Sequence, residues 1–168
     1  YEYLLKLNTN TTIFIPTLEH LKPKIIKLTK SWKLKIIIST NSLEIEKNYS
    51  NCSKALVCSG TASLEIAKRN IPQLIIYKLH FFTELIAKNF IKVKYANILN
   101  ILENKLIIPE ITNSNLNKIS FEKGFKQLIN DNKSNDEQIN KINKILNNIE
   151  TKNPPFYTAA IRILANLN

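Results

Sequence analysis

Residues 54–77 read KALVCSGTASLEIAKRNIPQLIIY, and the succession of textures in this stretch decides the fold. The short apolar run at 54–58 predicts a buried strand, residues 61–69 predict a helix, and Pro72 closes the unit before a second apolar strand at 73–77. Strands this apolar, separated by a helix, are the mark of a parallel sheet covered by helices. Upstream the alternation continues. Residues 11–16 (TTIFIP) predict a strand and 18–31 a helix with Pro23 in its first turn or at a kink. Residues 32–39 then predict a strand and 42–49 a short polar helix. Right-handed crossovers turn such an order into an α/β, Rossmann-like, doubly wound parallel sheet whose ligands lie beyond the carboxyl ends of the strands.

Downstream the texture changes. Residues 81–93 predict an amphipathic helix with Phe82, Leu85, Ile86, Phe90 and Val93 on one stripe. Residues 95–112 read as a long connection holding a short apolar run at 106–108, and loops of that length in a domain are usually functional. Helical patterns follow at 115–130 and 136–149, around a polar stretch at 131–135 expected to be a mobile surface turn. A last helix is expected at 156–167, after Asn153-Pro154-Pro155.

Composition narrows the function classes. With 168 residues and 44% hydrophobic content, the chain suffices for one domain with a real core. Two glycines, two cysteines and no methionine exclude collagen-like, low-complexity and disulfide-scaffold classes. Lys78, Glu84 and Lys88 break the longest apolar stretch well short of a membrane span. The chain opens at Tyr1-Glu2-Tyr3-Leu4 without a secretory leader, and is expected to be a piece of a longer protein. The net charge of +11 raises nucleic acid or an anionic membrane as partners. However, Ile, Lys and Asn saturate the whole sequence, so compositional drift accounts for the charge, and no arginine–aromatic interleaving or zinc-ligand spacing accompanies it. No nucleic-acid partner is expected.

The chemistry concentrates at Ser59-Gly60-Thr61, where a strand turns into a helix. The first amides of a helix have no intrahelical acceptor and sit at the positive end of its dipole, so a diphosphate can dock there. Gly60 permits close approach of that anion to the backbone. The plainer alternative is an ordinary N-cap, with Ser59 or Thr61 satisfying the free amides. Glu65 lies four residues after Thr61, one too many for a reciprocal capping box. It either accepts hydrogen bonds from ligand hydroxyls such as a ribose diol, or pairs with Arg69 one turn on. His20 and His80 stand apart from any second metal ligand, and Cys58, at the end of an apolar run, is expected to be a small buried hydrophobe.

Several strings together, CSGTASLEIA at 58–67, the strand ending Tyr77-Lys78, FFTELIAKNFIKVKYANILNIL at 81–102 and IIPEIT at 107–112, resemble the C-terminal half of bacterial lipid-A-disaccharide synthases. The likeness runs from about Ile13 to Asn113 in the same order and spacing. It implies a GT-B glycosyltransferase whose C-terminal Rossmann-like domain holds a UDP-sugar. Such enzymes join UDP-2,3-diacylglucosamine to 2,3-diacylglucosamine 1-phosphate (lipid X), giving the lipid A disaccharide and UDP. By resemblance, Ser59, Gly60 and Thr61 bind the donor diphosphate and Glu65 the ribose. Asn100 corresponds to an asparagine near the donor sugar, Glu110 to the acid of a Pro-Glu-Leu-Leu-Gln motif, Asn113 to its glutamine, and Tyr77 to the tyrosine of a Tyr-Arg pair.

This sequence departs from the family pattern in places. Leu99 replaces a proline, Lys78 an arginine that forks onto phosphate, and the Gly-Ser-Arg loop expected upstream is missing. Residues 1–153 are thus expected to form the donor domain and 154–168 a helix packing toward an N-terminal acceptor domain that would supply the general base. No cofactor is implied, and the chain has no Asp-x-Asp pair to suggest a metal. The resemblance further implies a cytoplasmic location, an anionic inner-membrane surface and a separate N-terminal half as partners. Three other readings stay open: a different GT-B transferase or UDP-sugar epimerase, since fold does not fix substrate, a basic nucleic-acid-binding domain without catalysis, and a remnant of a split gene that folds and binds nothing.

Overall fold

A computed structural model describes residues 3–6, 11–58, 60–78, 94–112, 115–149 and 155–165. The helix expected at 81–93 and the candidate residues Ser59 and Asn113 lie outside the described residues. The first half alternates as expected: β1 (Thr12–Pro16), α1 (Lys22–Thr29), β2 (Lys35–Ser39), α2 (Ser42–Tyr49), β3 (Ala55–Val57), α3 (Thr61–Lys68) and β4 (Gln73–Tyr77). There follow α4 (Ile98–Glu103), β5 (Glu110–Thr112), α5 (Lys118–Asn130), α6 (Asn132–Ile149) and α7 (Pro155–Ala165). Every strand pair is parallel. Among the described residues the strands form two sheets, β1–β2 and β3–β4–β5.

The core is built around β4. Ile75 joins Val57, Ile66, Ala67, Leu99, Ile108, Ile142 and Ile145, so α3, α4 and α6 cover one side. Its neighbour Leu74 packs with Ile111 and Leu128, which brings α5 to the other. Successive strand residues point to opposite faces, and both Leu74 and Ile75 are buried, as a strand covered by helices on both faces requires. Gly124 is where α5 comes closest. A Cβ there would sit 3.2 Å from Ile111 Cδ1 and 3.3 Å from both Leu74 methyls, so the helix needs this residue bare to lie flat on the strands.

Three expectations are corrected. The helix placed at 18–31 is a 3-10 turn, Glu19–Leu21, leading into α1, with Pro23 at a first-turn position where its missing N–H costs nothing. The long connection at 95–112 contains α4 and β5. Asn97 caps α4 by accepting from Leu99 N at 2.9 Å, and Asn104 closes it in the left-handed region at φ 48°. Six helical and three strand residues are too few for periodicity to reveal. Finally, 131–135 is no mobile turn. Helices α5 and α6 meet at Asp131, whose carboxylate accepts from Ser134 N at 2.9 Å, while buried Asn135 donates to Leu128 O at 2.9 Å. The polar run is a helix start, where short polar side chains satisfy free amides.

Candidate functional site

Helix α3 leaves the β3 edge through Gly60, at φ 124° and ψ −158°. That region is open to glycine and strained for any other residue, so the sharp strand-to-helix turn explains the glycine. Among the described residues no side chain caps the helix: Gly60 is itself the N-cap residue, and Thr61 makes no cap bond. The ordinary-cap alternative for Thr61 is therefore not what the structure contains. Ser63 N reaches back to Gly60 O at 3.1 Å, which leaves the amides of Thr61 and Ala62 as the unused donors of the first turn. Gly60, Thr61, Ala62 and Glu65 are all exposed, and no atom lies within 4 Å of a Cβ built at Gly60. The corner is open.

Glu65 does not pair with Arg69. The Arg69 guanidinium lies 4.7 Å over the Tyr49 ring, donates through Nη1 to Glu65 O at 2.9 Å, and ion-pairs through Nη2 with Glu46 of α2. The Glu65 carboxylate is left without a hydrogen bond or ion pair to a described residue. Burial, followed by the negative charge of Glu65, pushes the Tyr49 hydroxyl above its ordinary pKa.

A buried polar network fixes this turn from beneath. Ser63 Oγ donates to Gln73 Oε1 at 2.8 Å and accepts from Asn97 Nδ2 at 2.6 Å. Gln73 and Gln138 exchange bonds, Gln73 N to Gln138 Oε1 at 2.8 Å and Gln138 Nε2 to Gln73 O at 3.1 Å, so the base of β4 is tied to α6. Glu110 accepts from Ala96 N and Asn97 N, each at 2.8 Å, and from Asn100 Nδ2 at 2.6 Å. Asn100 is fully buried. Its Nδ2 also donates to Ile108 O at 2.7 Å and its Oδ1 accepts from Ile107 N and Ile108 N, both at 2.9 Å. All four of its hydrogen-bonding positions are thus taken by the protein. No buried side-chain polar atom among the described residues lacks a partner.

The structure thus brings Asn100 and Glu110 together, and joins them to α3 through Asn97 and Ser63. Gly60, Thr61 and Glu65 form the open corner. Tyr77 ends β4, half-buried against the core. Ser63, Gln73, Asn97 and Gln138 were not singled out by the sequence, because a glutamine opening an apolar strand looks like a boundary residue until its partner 65 positions away is known. A cleft of about 350 Å³ lies elsewhere, between the end of α4 and α6, lined by Glu103, Lys105, Ile107, Lys141, Lys144 and Ile145 among others; it includes none of the candidate residues. Among the described residues, no group of three His, Cys, Asp or Glu is placed to hold a metal ion.

One cysteine differs from expectation. Cys58 is exposed, because the strand stops at Val57 and the chain has already turned outward. Cys52 is half-buried, its Sγ donates to Asn48 O at 3.3 Å, and burial pushes its thiol pKa up. Thiolate is the reactive form, so at pH about 8 Cys58 is expected to be alkylated by iodoacetamide at least ~10-fold faster than Cys52 in the folded chain. Peptide mapping of the alkylated protein measures this; equal rates would contradict the placement of Cys52.

Comparison with known proteins adds a second line of observation. The family described as lipid-A-disaccharide synthetase matches residues 2–161. A lipid-A-disaccharide synthase of Rickettsia bellii is 35% identical over 111 residues, 66% of this chain and 29% of that protein. One from Rhodospirillum centenum is 23% identical over 133 residues, covering 79% and 33%. A lipid-A-disaccharide synthase 1 of Legionella pneumophila is 39% identical over 90 residues, covering 54% and 23%. The matched stretches span a third or less of these relatives.

Proposed function

The chain belongs to the lipid-A-disaccharide synthetase family, and on that premise we propose that it is the donor-binding part of a glycosyltransferase of lipid A biosynthesis. The reaction moves 2,3-diacylglucosamine from its UDP ester to the 6-hydroxyl of 2,3-diacylglucosamine 1-phosphate and releases UDP. Inversion at the anomeric carbon needs a base on the incoming hydroxyl and stabilisation of charge on the departing diphosphate. This chain supplies the second. The observation that carries the reading is the exposed first turn of α3 behind Gly60, uncapped by any described side chain, with the Glu65 carboxylate, unpaired among the described residues, one turn further on. The free amides of Thr61 and Ala62, helped by Ser59, take the diphosphate, and Glu65 takes the ribose hydroxyls.

Asn100 and Glu110 serve this site as positioning residues, since the protein itself occupies the polar atoms of Asn100. Tyr77 ends β4 at the same carboxyl edge of the sheet, and Asn113 is assigned to the donor site by the family resemblance alone. Residues 1–153 constitute the donor domain, and 154–168 lie against the acceptor part. The exposed Phe156, Tyr157, Ile161, Ile163 and Leu164 of α7 support that last assignment. Both substrates are lipids, which supports a location at the cytoplasmic face of the inner membrane. No described helix is long and apolar enough to cross a membrane.

Titration calorimetry with UDP tests the site. The wild-type chain is expected to bind weakly, and Glu65→Ala to lose at least ~10-fold in affinity, about 1.4 kcal/mol. Identical isotherms for the two would remove the ribose role of Glu65.

A further inference from the structure

We propose that Ser63 is a positioning residue for the donor diphosphate: clasped from beneath by Gln73 and Asn97, it holds the first turn of α3 rigid while leaving the outward amides of that turn free. This role rests on the donor-site reading above and adds to it the device that keeps the site aimed. A helix start is ordinarily held by a side chain that accepts from its free amides. Asn41 does this for α2, Asn97 for α4 and Asn117 for α5. At α3 the same arrangement would defeat the site, because a capping oxygen takes the amides that a diphosphate needs. An eight-residue helix that starts at a glycine, with no capping side chain among the described residues, frays unless it is held some other way.

The hold comes from the buried side. Ser63 is the third residue of α3, and with Gln73 and Asn97 it is fully buried. Gln73 grips it twice, accepting from Ser63 Oγ at 2.8 Å and donating through Nε2 to Ser63 O at 3.0 Å. Asn97 Nδ2 donates to the same Oγ at 2.6 Å, so the hydroxyl both donates and accepts. Both partners are themselves fastened: Gln73 N and O are bonded to Gln138 of α6, and Asn97 N and Oδ1 to Glu110 and Leu99. The first turn is thereby tied to β4, α4 and α6 at once, while Ser63 N closes on Gly60 O at 3.1 Å. Stability alone does not call for this arrangement, since apolar side chains of the same shape would fill the space at little net cost. What the hydrogen bonds add is direction: they fix the rotation of the turn, and hence where the Thr61 and Ala62 amides point. A site that is correctly formed for only a fraction of the time binds more weakly by that fraction.

Two variants open the clasp from opposite sides. Ser63→Ala removes it from α3, and Gln73→Met removes it from β4 while keeping the backbone bonds to Gln138. Asn135→Ala is the comparison, because it loses a buried hydrogen bond to Leu128 O that involves no residue of α3. In the folded chain without nucleotide, amide hydrogen exchange at residue 63 is expected to speed up by at least ~10-fold in both clasp variants and to stay as in the wild type in Asn135→Ala. UDP affinity, by titration calorimetry, is expected to fall by at least ~5-fold in the clasp variants and not in Asn135→Ala. Unchanged exchange at residue 63 overturns the proposal, as does an equal loss of affinity in Asn135→Ala. A wild-type chain that binds no UDP sinks the donor-site reading and this role with it, whereas wild-type binding that both clasp variants retain sinks the role alone.

Discussion

Asn100→Leu is expected to destabilise the folded domain by about 3–5 kcal/mol, among the larger losses a single substitution produces. Leucine branches at the same carbon as asparagine and is the larger side chain, so the effect is not a cavity. It comes from what the side chain leaves behind: the amides of Ile107 and Ile108, the carbonyl of Ile108 and one bond to Glu110. The Ile108 groups are withdrawn from water and the Ile107 amide is partly so, and an unpaired buried group costs roughly 1–3 kcal/mol, which the extra apolar surface of leucine only partly offsets. Ile108 is itself fully buried in the main core, so water cannot enter freely to repair the loss. In urea the midpoint is expected to fall by roughly 2 M, with the slope little changed. A loss under about 1 kcal/mol would mean that these bonds are not what holds residues 96–110 in place.

The second large effect belongs to Gly60. A valine there meets no neighbour, since nothing lies within 4 Å of the built Cβ. Its cost is conformational: at φ 124° and ψ −158° a β-branched residue is strained by roughly 1–3 kcal/mol, and the chain relieves this by opening the turn. Opening it re-aims the Thr61 and Ala62 amides, and the branched side chain stands where an anion would approach. Gly60→Val is therefore expected to abolish measurable UDP binding while costing less stability than Asn100→Leu. Retained UDP affinity in a folded Gly60→Val chain would place the nucleotide elsewhere.

These two residues show what was legible in the sequence. Gly60 announced itself, because a chain with only two glycines that spends one between an apolar strand and a helix has a backbone reason to do so. The strands at 12–16 and 73–77 were equally plain, being runs of apolar residues bounded by polar residues or proline. Asn100 was visible only through its likeness to a family motif, and that likeness carried no information about its four bonds. Those depend on α4 and β5, two elements too short for any period to show. The division of the sheet was invisible for a related reason. Strand order is set by which edges meet in space, and alternation of strand and helix along the chain is the same whether the strands form one sheet or two.

The most direct test of the central claim is the response of backbone amides to UDP in a two-dimensional nitrogen–proton NMR titration of the intact chain. The amides of Thr61 and Ala62 are expected to shift most, with Gly60 and Glu65 following, because the diphosphate docks on the open first turn of α3. Shifts confined to residues around Lys105, Lys141 and Lys144, or no shifts at all at saturating nucleotide, would contradict the assignment of this corner as the donor site.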